Sequence, residues 1–208
     1  MMKQQLQVML TLQDEINTVV NENWREQNFA WYRAIWVESA ELLDHYGWKW
    51  WKKQLPEMDQ VKLELVDIWH FGLSLELQKG SPQKVAEIML KEFDGSERSA
   101  GDFRENLESF TLSTLATKQF DVAGFAQLLA DAGMSFAELY QRYVGKNVLN
   151  RFRQDNGYKD GSYVKTWAGR EDNEHLAEIA GLLDSSTADY SDQVYMALQE
   201  RYREMALT

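Results

Sequence analysis

Apolar residues recur every three or four positions along most of this 208-residue chain, which is the spacing of one face of an α-helix. The first such stripe contains Leu6, Met9, Leu12, Ile16 and Val19. Glycine, proline and polar clusters interrupt the pattern and mark the helix ends. Because the chain has only 2 prolines and helical spacing dominates, we expect an all-α helix bundle. The predicted helices are 2–22, 29–46, 57–78, 83–93, 102–118, 121–132, 135–156, 173–183 and 190–206.

Two pairs of acidic residues interrupt these apolar faces. Glu38 and Glu41 are three residues apart in the second predicted helix, and Glu64 and Asp67 have the same spacing in the third. At this spacing both carboxylates of a pair lie on one helix face, about one turn apart. The third helix is apolar on nearly every side and is expected to be buried, where carboxylates need positive charge nearby. A divalent metal between the two acidic helices supplies that charge compactly.

A second interpretation of the acidic pairs needs no metal. Acidic pairs at this spacing occur on many helices, where they only solvate an exposed face. Lys49, Lys52, Lys53 and Lys62 lie close by in sequence and can neutralise part of the charge. Both pairs are set into apolar stripes and one helix-turn-helix joins them, which favours a shared metal site as much as the preceding points favour solvation. Both interpretations therefore stay open.

Amides, indoles and an imidazole accompany the acidic pairs. Gln13 and Asn17 are four residues apart on the first helix, where they either solvate the surface or recognise a planar ligand, since amides both donate and accept hydrogen bonds. The segment 48–53, WKWWKK, is either core packing with lysines that reach the surface or, beginning at Trp48, a stacking surface for a base. His70 follows the second acidic pair by three residues and shares its face, although a hydrogen-bonded core histidine is the alternative.

Positive charge is concentrated between residues 142 and 170. This segment holds seven basic and two acidic residues, a local net charge of +5 in a chain whose total is −11. Lys146, Asn150 and Arg153 form one polar face of a helix, and the glycine-punctuated loop 157–165 follows. A basic segment within so acidic a chain indicates an anion site, and phosphate is the anion we expect.

Composition and charge exclude several functional classes. Hydrophobic residues make up 44% of the chain, which excludes a disordered protein, and the net charge of −11 argues against nucleic-acid binding. The absence of cysteine excludes disulfides and thiolate chemistry and fits a reducing compartment. The sequence shows neither a signal-peptide core nor an apolar run of about 18 residues, so we expect a cytoplasmic protein without membrane contact. We expect one domain over 1–208, in which residues 80–132 form a smaller mobile subdomain.

Acids that hold divalent metal, together with a basic segment, make a site for a polyphosphate, and nearby amides and indoles suggest an attached base. The chemistry that follows is metal-assisted hydrolysis of a nucleotide.

Six segments resemble the motifs of the dimeric all-α dUTPases, within the MazG-like all-α NTP pyrophosphohydrolase superfamily. They are LQDEIN (12–17), ESAELLDHYGWKWWK (38–52), ELVDIWHF (64–71), KNVLNRFR (146–153), GYKDGSYVK (157–165) and GREDN (169–173). The match is weak over 80–132 and after residue 175.

The resemblance implies a homodimeric, Mg²⁺-dependent diphosphatase that converts dUTP to dUMP and pyrophosphate and controls the dUTP pool, with two or more ions per site. It implies that Glu38, Glu41, Glu64 and Asp67 bind metal, that Glu38 and Glu41 are catalytic, and that Glu41 orients the attacking water. It implies nucleoside contacts from Gln13, Asn17, Trp48, His70 and Asn150. It implies phosphate contacts from Lys146, Arg153, Tyr158, Lys159 and Lys165.

The residues themselves do not choose the base, because rotating an amide side chain exchanges its recognition of uracil and cytosine. A pyrophosphohydrolase that acts on dCTP or another deoxynucleotide is therefore the first alternative. A nucleotide-binding helical dimer without catalytic activity is the second, and the presence of all four acids at their spacing argues against it.

Overall fold

The computed structural model describes residues 2–95, 101–185, 187 and 189–205, and over these residues it confirms the predicted all-α class. The chain forms two compact units, Met1–Tyr140 and Gln141–Thr208. Within the described ranges, no helix combines the length and the apolar character needed to cross a bilayer. The helices are α1 (Met2–Val20), α2 (Trp31–Tyr46), α3 (Met58–Leu77), α4 (Pro82–Gly95), α5 (Phe103–Thr117), α6 (Val122–Asp131), α7 (Phe136–Asp155), α8 (Asp172–Leu182) and α9 (Tyr190–Met205).

Every predicted helix is found, and its ends differ from the prediction by at most two residues, the usual uncertainty of helix ends. Helix α4 extends to Gly95, two residues beyond its predicted end, and Ser96 lies outside the described residues. Helix α7 begins as predicted after Ser135, whose hydroxyl accepts a hydrogen bond from the backbone N–H of Glu138 at 3.1 Å.

Helix α3 forms the buried centre of the first unit, as its apolar sequence predicts. Helices α1, α2 and α4 all contact it. Because neighbours cover most sides of the helix, Glu64 is buried and Asp67 is half-buried. The fully buried apolar residues include Val61, Leu65, Ile68, Trp69 and Leu73.

Helices α4 and α6 and the connection between α5 and α6 supply aromatic packing for α3. The rings of Phe125, Phe120 and Phe93 lie 5.0, 5.8 and 6.1 Å from the ring of Trp69, in the range of favourable aromatic pairs. A Cβ atom at Gly72 would lie 2.6 Å from the Phe120 ring, so only glycine permits this approach. The middle of the chain, which carries no chemical motif, therefore contributes to the core of the first unit.

Helix α2 ends at Tyr46, and several contacts hold the connection to α3. Gly47 has φ of 91° and ψ of 120°, a positive φ that glycine adopts readily. The Nε of Arg104 donates to the Gly47 carbonyl at 2.7 Å, and the guanidinium lies 4.9 Å from the ring centroid of Tyr46. The backbone N–H of Glu57 donates to the carbonyl of His45 at 2.9 Å. These contacts hold the start of α3 against the end of α2.

The second unit packs around one phenylalanine of α7. Phe152 has no exposed surface, and four aromatic rings from the following loop, strand and helix lie 5.5 to 6.2 Å from its own. Edge-to-face contacts of this kind are favourable because the positive ring edge meets the negative ring face. The four rings belong to Tyr163, Trp167, Tyr195 and Tyr202.

A short hairpin in the second unit was not predicted. Strands β1 (Thr166–Trp167) and β2 (Arg170–Glu171) pair antiparallel. The two connecting residues, Ala168 and Gly169, have φ of 48° and 79°, the positive values that the tightest hairpin turns require. The hairpin leads directly into α8.

Candidate active site

Helices α2 and α3 bring three of the four predicted acids together. One carboxylate oxygen from each of Glu38, Glu41 and Glu64 lies within 4.8 Å of the other two. Glu64 is buried, Glu38 is half-buried and Glu41 is exposed, so the group extends from the core to the surface. Asp67, the fourth acid, lies close enough for its charge to act on Glu38. The first pair therefore converges with Glu64 of the second. We call Glu38, Glu41, Glu64 and Asp67 the acidic cluster.

The acidic cluster has an excess of negative charge. The pKa of Glu38 is raised to about 8, first by burial and then by the charges of its acidic neighbours. Two of the lysines considered as counter-charges bind other acids: Lys49 lies 3.1 Å from Asp44, and Lys62 lies 3.0 Å from Glu138. Oxygen ligands with excess negative charge are the donor set that a hard divalent cation prefers. The residues present therefore fit a divalent metal ion.

His45 lies beside the acidic cluster, although the sequence analysis assigned it no role. Its Nε2 is 3.7 Å from Glu64 Oε1, and its Nδ1 is 2.9 Å from Glu57 Oε2. The second contact fixes the orientation of the ring, and the ring then faces a candidate metal ligand. Its position four residues after Glu41 on α2 was the signal available in the sequence.

Gln13, Asn17 and His70 meet in a buried polar cluster between α1 and α3. Gln13 Nε2 donates to Asn17 Oδ1 at 3.0 Å, and Gln13 Oε1 lies 2.8 Å from His70 Nδ1. The three side chains are only 5 to 7% exposed, so the alternative that the amides solvate the surface is wrong. Ser74, which the sequence analysis missed, is fully buried and contacts both amides. It follows His70 by four residues, and that spacing indicated a shared helix face.

The segment 48–53 lies at the surface. Trp50 is 90% exposed, so the interpretation as core packing is wrong. Trp48 is 44% exposed, and its indole N–H donates to Asp44 Oδ1 at 3.0 Å. Lys49 Nζ lies 5.5 Å from the centroid of the Trp48 ring. An indole held in this way, with a cation nearby, offers a stacking surface for a planar ligand.

In the second unit, Arg153 is bound to an internal carboxylate. Its Nε and Nη2 donate to Asp172 at 2.8 and 2.7 Å, and its Nη1 donates to Asn150 Oδ1 at 3.2 Å. The hydroxyl of Tyr163 donates to Asp172 at 2.8 Å. Burial by itself would raise the pKa of Asp172, but Arg153 and Tyr163 hold that pKa below its usual range. The sequence analysis assigned Arg153 to phosphate and missed this partner, which stands in the GREDN motif.

Other basic residues of the segment 142–170 also contact acids of the second unit. Lys165 Nζ lies 3.4 Å from Glu171, and Arg170 Nη1 lies 2.8 Å from Glu178. Acids that follow the segment in sequence therefore balance part of its positive charge. Among the other predicted phosphate contacts, Lys146 is buried, and Tyr158 and Lys159 are exposed.

Comparison with known proteins identifies the family. Residues 5–158, about three quarters of the chain, match a protein-family model described as dUTPase. A search of the curated proteins finds none that matches. The matched range contains the acidic cluster, the buried amides and all of α7. The chain therefore belongs to the all-α dUTPase family and is a hydrolase of the dUTP diphosphatase class.

Proposed function

We propose that the protein catalyses the Mg²⁺-dependent hydrolysis of dUTP to dUMP and pyrophosphate as a cytoplasmic homodimer, and that it controls the dUTP pool. Family membership supports the hydrolysis of dUTP. The observation that carries the metal dependence is the convergence of Glu38, Glu41 and Glu64, with the pKa of Glu38 raised to about 8. These three acids and Asp67 would hold two or more ions, whose positive charge would balance that of the cluster.

The acidic cluster would hold the ions and position water. When bound, Mg²⁺ neutralises the phosphates and lowers the pKa of water toward neutrality. Glu41, the exposed member, accepts a proton from the attacking water. The water oxygen bonds to one of the two phosphorus atoms on either side of the oxygen that bridges the α- and β-phosphates. The bond between that phosphorus and the bridging oxygen breaks, and dUMP and pyrophosphate are released. Glu38 acts with Glu41 as a metal ligand that the reaction requires.

The nucleoside contacts come from amides, an imidazole and an indole. Gln13 and Asn17 recognise the uracil and the deoxyribose, and His70 supports Gln13 through their 2.8 Å contact. Trp48 lies beside the base, because an exposed indole provides a flat apolar surface. Asn150, whose carbonyl oxygen accepts a hydrogen bond from a neighbouring guanidinium, contacts the nucleoside.

The phosphate contacts come from basic and phenolic side chains. The pair between Lys165 and Glu171 is exposed, and such pairs contribute little free energy, so a phosphate can replace the carboxylate. The bonds of Arg153 to Asp172 hold the end of α7 to α8, and Tyr163 of the loop 157–165 donates to the same carboxylate, so these contacts support the proposed phosphate site. The proposed set is Lys146, Arg153, Tyr158, Lys159 and Lys165.

The test is product release from dUTP, dUDP, dCTP and dTTP, measured with Mg²⁺ and with a chelator. We expect rapid pyrophosphate release from dUTP that stops in the chelator. Equal rates on dCTP and dTTP would contradict the uracil preference, and turnover in the chelator would contradict the metal dependence. Sedimentation should give twice the chain mass of 24.3 kDa, and a monomer mass would contradict the homodimer.

A further inference from the structure

The hydroxyl of Ser74 lies at the centre of the buried amide cluster. It is fully buried on α3 and lies 3.1 Å from Gln13 Nε2 and 3.0 Å from Asn17 Nδ2. The same oxygen lies 3.1 Å from the backbone carbonyl of His70, one helical turn earlier. Three polar atoms therefore surround a single hydroxyl.

The hydrogen inventory of a hydroxyl determines the direction of these bonds. A serine hydroxyl has one hydrogen to donate and two lone pairs that accept. The carbonyl of His70 can only accept, so it takes the hydroxyl hydrogen, an arrangement common for serine within a helix. Both lone pairs of Ser74 then face Gln13 and Asn17. Each amide must therefore direct its NH₂ group, and not its oxygen, toward Ser74.

This requirement removes the rotational freedom that left the base undecided in the sequence. With its NH₂ group directed to Ser74 and Asn17, Gln13 directs its oxygen to His70 Nδ1 at 2.8 Å. Turning either amide over would bring an amide oxygen against the oxygen of Ser74, two acceptors without a hydrogen between them. The amides therefore have one orientation each.

We infer that Ser74 is a positioning residue that sets the preference for uracil over cytosine by fixing the amides of Gln13 and Asn17; this inference rests on the proposed function. The two bases differ in the polar groups they offer, since cytosine has an amino donor where uracil has a carbonyl acceptor. An amide free to turn serves either base, whereas a fixed amide pairs with one and opposes the other. In the fixed orientation one hydrogen of the Asn17 NH₂ group donates to Ser74, and its second hydrogen can donate to the base. That donor pairs with the carbonyl of uracil and opposes the amino group of cytosine.

The test compares kcat/KM for dUTP and dCTP in the wild type and in Ser74→Ala, with Mg²⁺ present. Removing the hydroxyl lets the two amides turn together, because a joint turn keeps a hydrogen bond between them and the other tautomer of His70 can accept from Gln13. The ratio of dUTP to dCTP should therefore fall about tenfold, mostly through KM. Thr114→Val is the matched control, because it removes another fully buried hydroxyl of the first unit, on α5. Its ratio should equal that of the wild type, and thermal midpoints report the structural cost of each change.

Ser74→Cys is the second variant, used if the alanine variant does not fold. A thiol keeps the size of the side chain but is a weaker acceptor, so the ratio should fall in the same direction by a smaller factor. A ratio within about twofold of the wild type in a folded Ser74 variant would overturn the inference. A loss of kcat that is equal for both nucleotides would also overturn it, because that result indicates a structural role alone. Failure of the proposed function is seen separately, as a wild type that does not prefer dUTP.

Discussion

Two carboxylates of this protein leave solvent on folding and have opposite pKa shifts. Burial and acidic neighbours raise the pKa of Glu38 to about 8. Burial acts in the same direction on Asp172, yet its pKa is lowered, because Arg153 and Tyr163 donate hydrogen bonds to it. The difference lies in the neighbours. The neighbours that act on Glu38 are acids, whereas the cluster around Asp172 contains a cation, Arg153.

This difference separates a binding cluster from a structural one. An internally paired charge holds elements together, as Asp172 holds the end of α7 and the loop that follows it to the start of α8. A group of like charges at a buried position opposes folding until a cation binds. Charge balance within a buried cluster therefore indicates whether the cluster awaits a ligand.

The largest effect should come from neutralising an acid of the acidic cluster. Glu41→Gln keeps the size of the side chain but removes the proposed base, so pyrophosphate release from dUTP should fall about 10²–10⁴-fold. Glu87→Gln is the control, because Glu87 is an exposed acid of α4 that pairs with Lys3. Undiminished turnover in Glu41→Gln would remove Glu41 from the mechanism.

A large loss of stability should follow from breaking the ion pair between Asp172 and Arg153. Asp172→Asn leaves the charge of Arg153 buried without its partner, so the free energy of unfolding should fall by about 3–5 kcal/mol. Urea denaturation monitored by tryptophan fluorescence measures it. Replacing both partners, Arg153→Met with Asp172→Leu, should recover most of the loss. An unchanged single variant would show that the pair does not support the second unit.

A smaller effect should come from added Mg²⁺, which should stabilise the protein through the acidic cluster and not through the cluster around Asp172. Mg²⁺ at a hundred times its dissociation constant should raise the free energy of unfolding by about 2.7 kcal/mol, because it binds only the folded acidic cluster. Glu64→Gln should lose most of this gain, and Asp172→Asn, although less stable, should keep it. Equal gains in all three proteins would place the Mg²⁺ site elsewhere.

The smallest effect concerns pH. Since the pKa of Asp172 is lower in the folded state, its contribution to stability is fully present above its unfolded pKa of about 3.9 and is lost as pH falls through the folded value. The wild type should therefore lose stability more steeply than Asp172→Asn below about pH 4. Parallel curves would mean that Asp172 has an ordinary pKa in the folded protein.

Local signals explain why so much of the fold was predictable. Helix periodicity and glycine or proline breaks are read within one turn of the chain, and they located all nine predicted helices within the described residues. The hairpin of β1 and β2 was missed, because strands of two residues are too short to show an alternating pattern. The acidic pairs were found for the same local reason, since each pair lies within one helical turn.

Long-range partners explain what was missed in the site. Ser74 contacts Gln13 across 61 positions of sequence, and Arg153 reaches Asp172 across 19. No spacing rule connects residues on different helices or strands. The sequence analysis therefore named some of these side chains without their partners and did not name others. His45 was visible in the stripe of α2, but its contact with Glu64 of α3 was not.

The sequence by itself determined the helices, the burial of α3 and the two acidic pairs, because helix formation and amphipathic burial depend on neighbours three and four residues apart. Tertiary structure alone decided which charges are balanced and which way the amides face. Those properties depend on the atoms that packing brings within hydrogen-bond distance, and packing joins segments that are remote in sequence. That packing brings Glu38, Glu41 and Glu64 together and pairs Arg153 with Asp172.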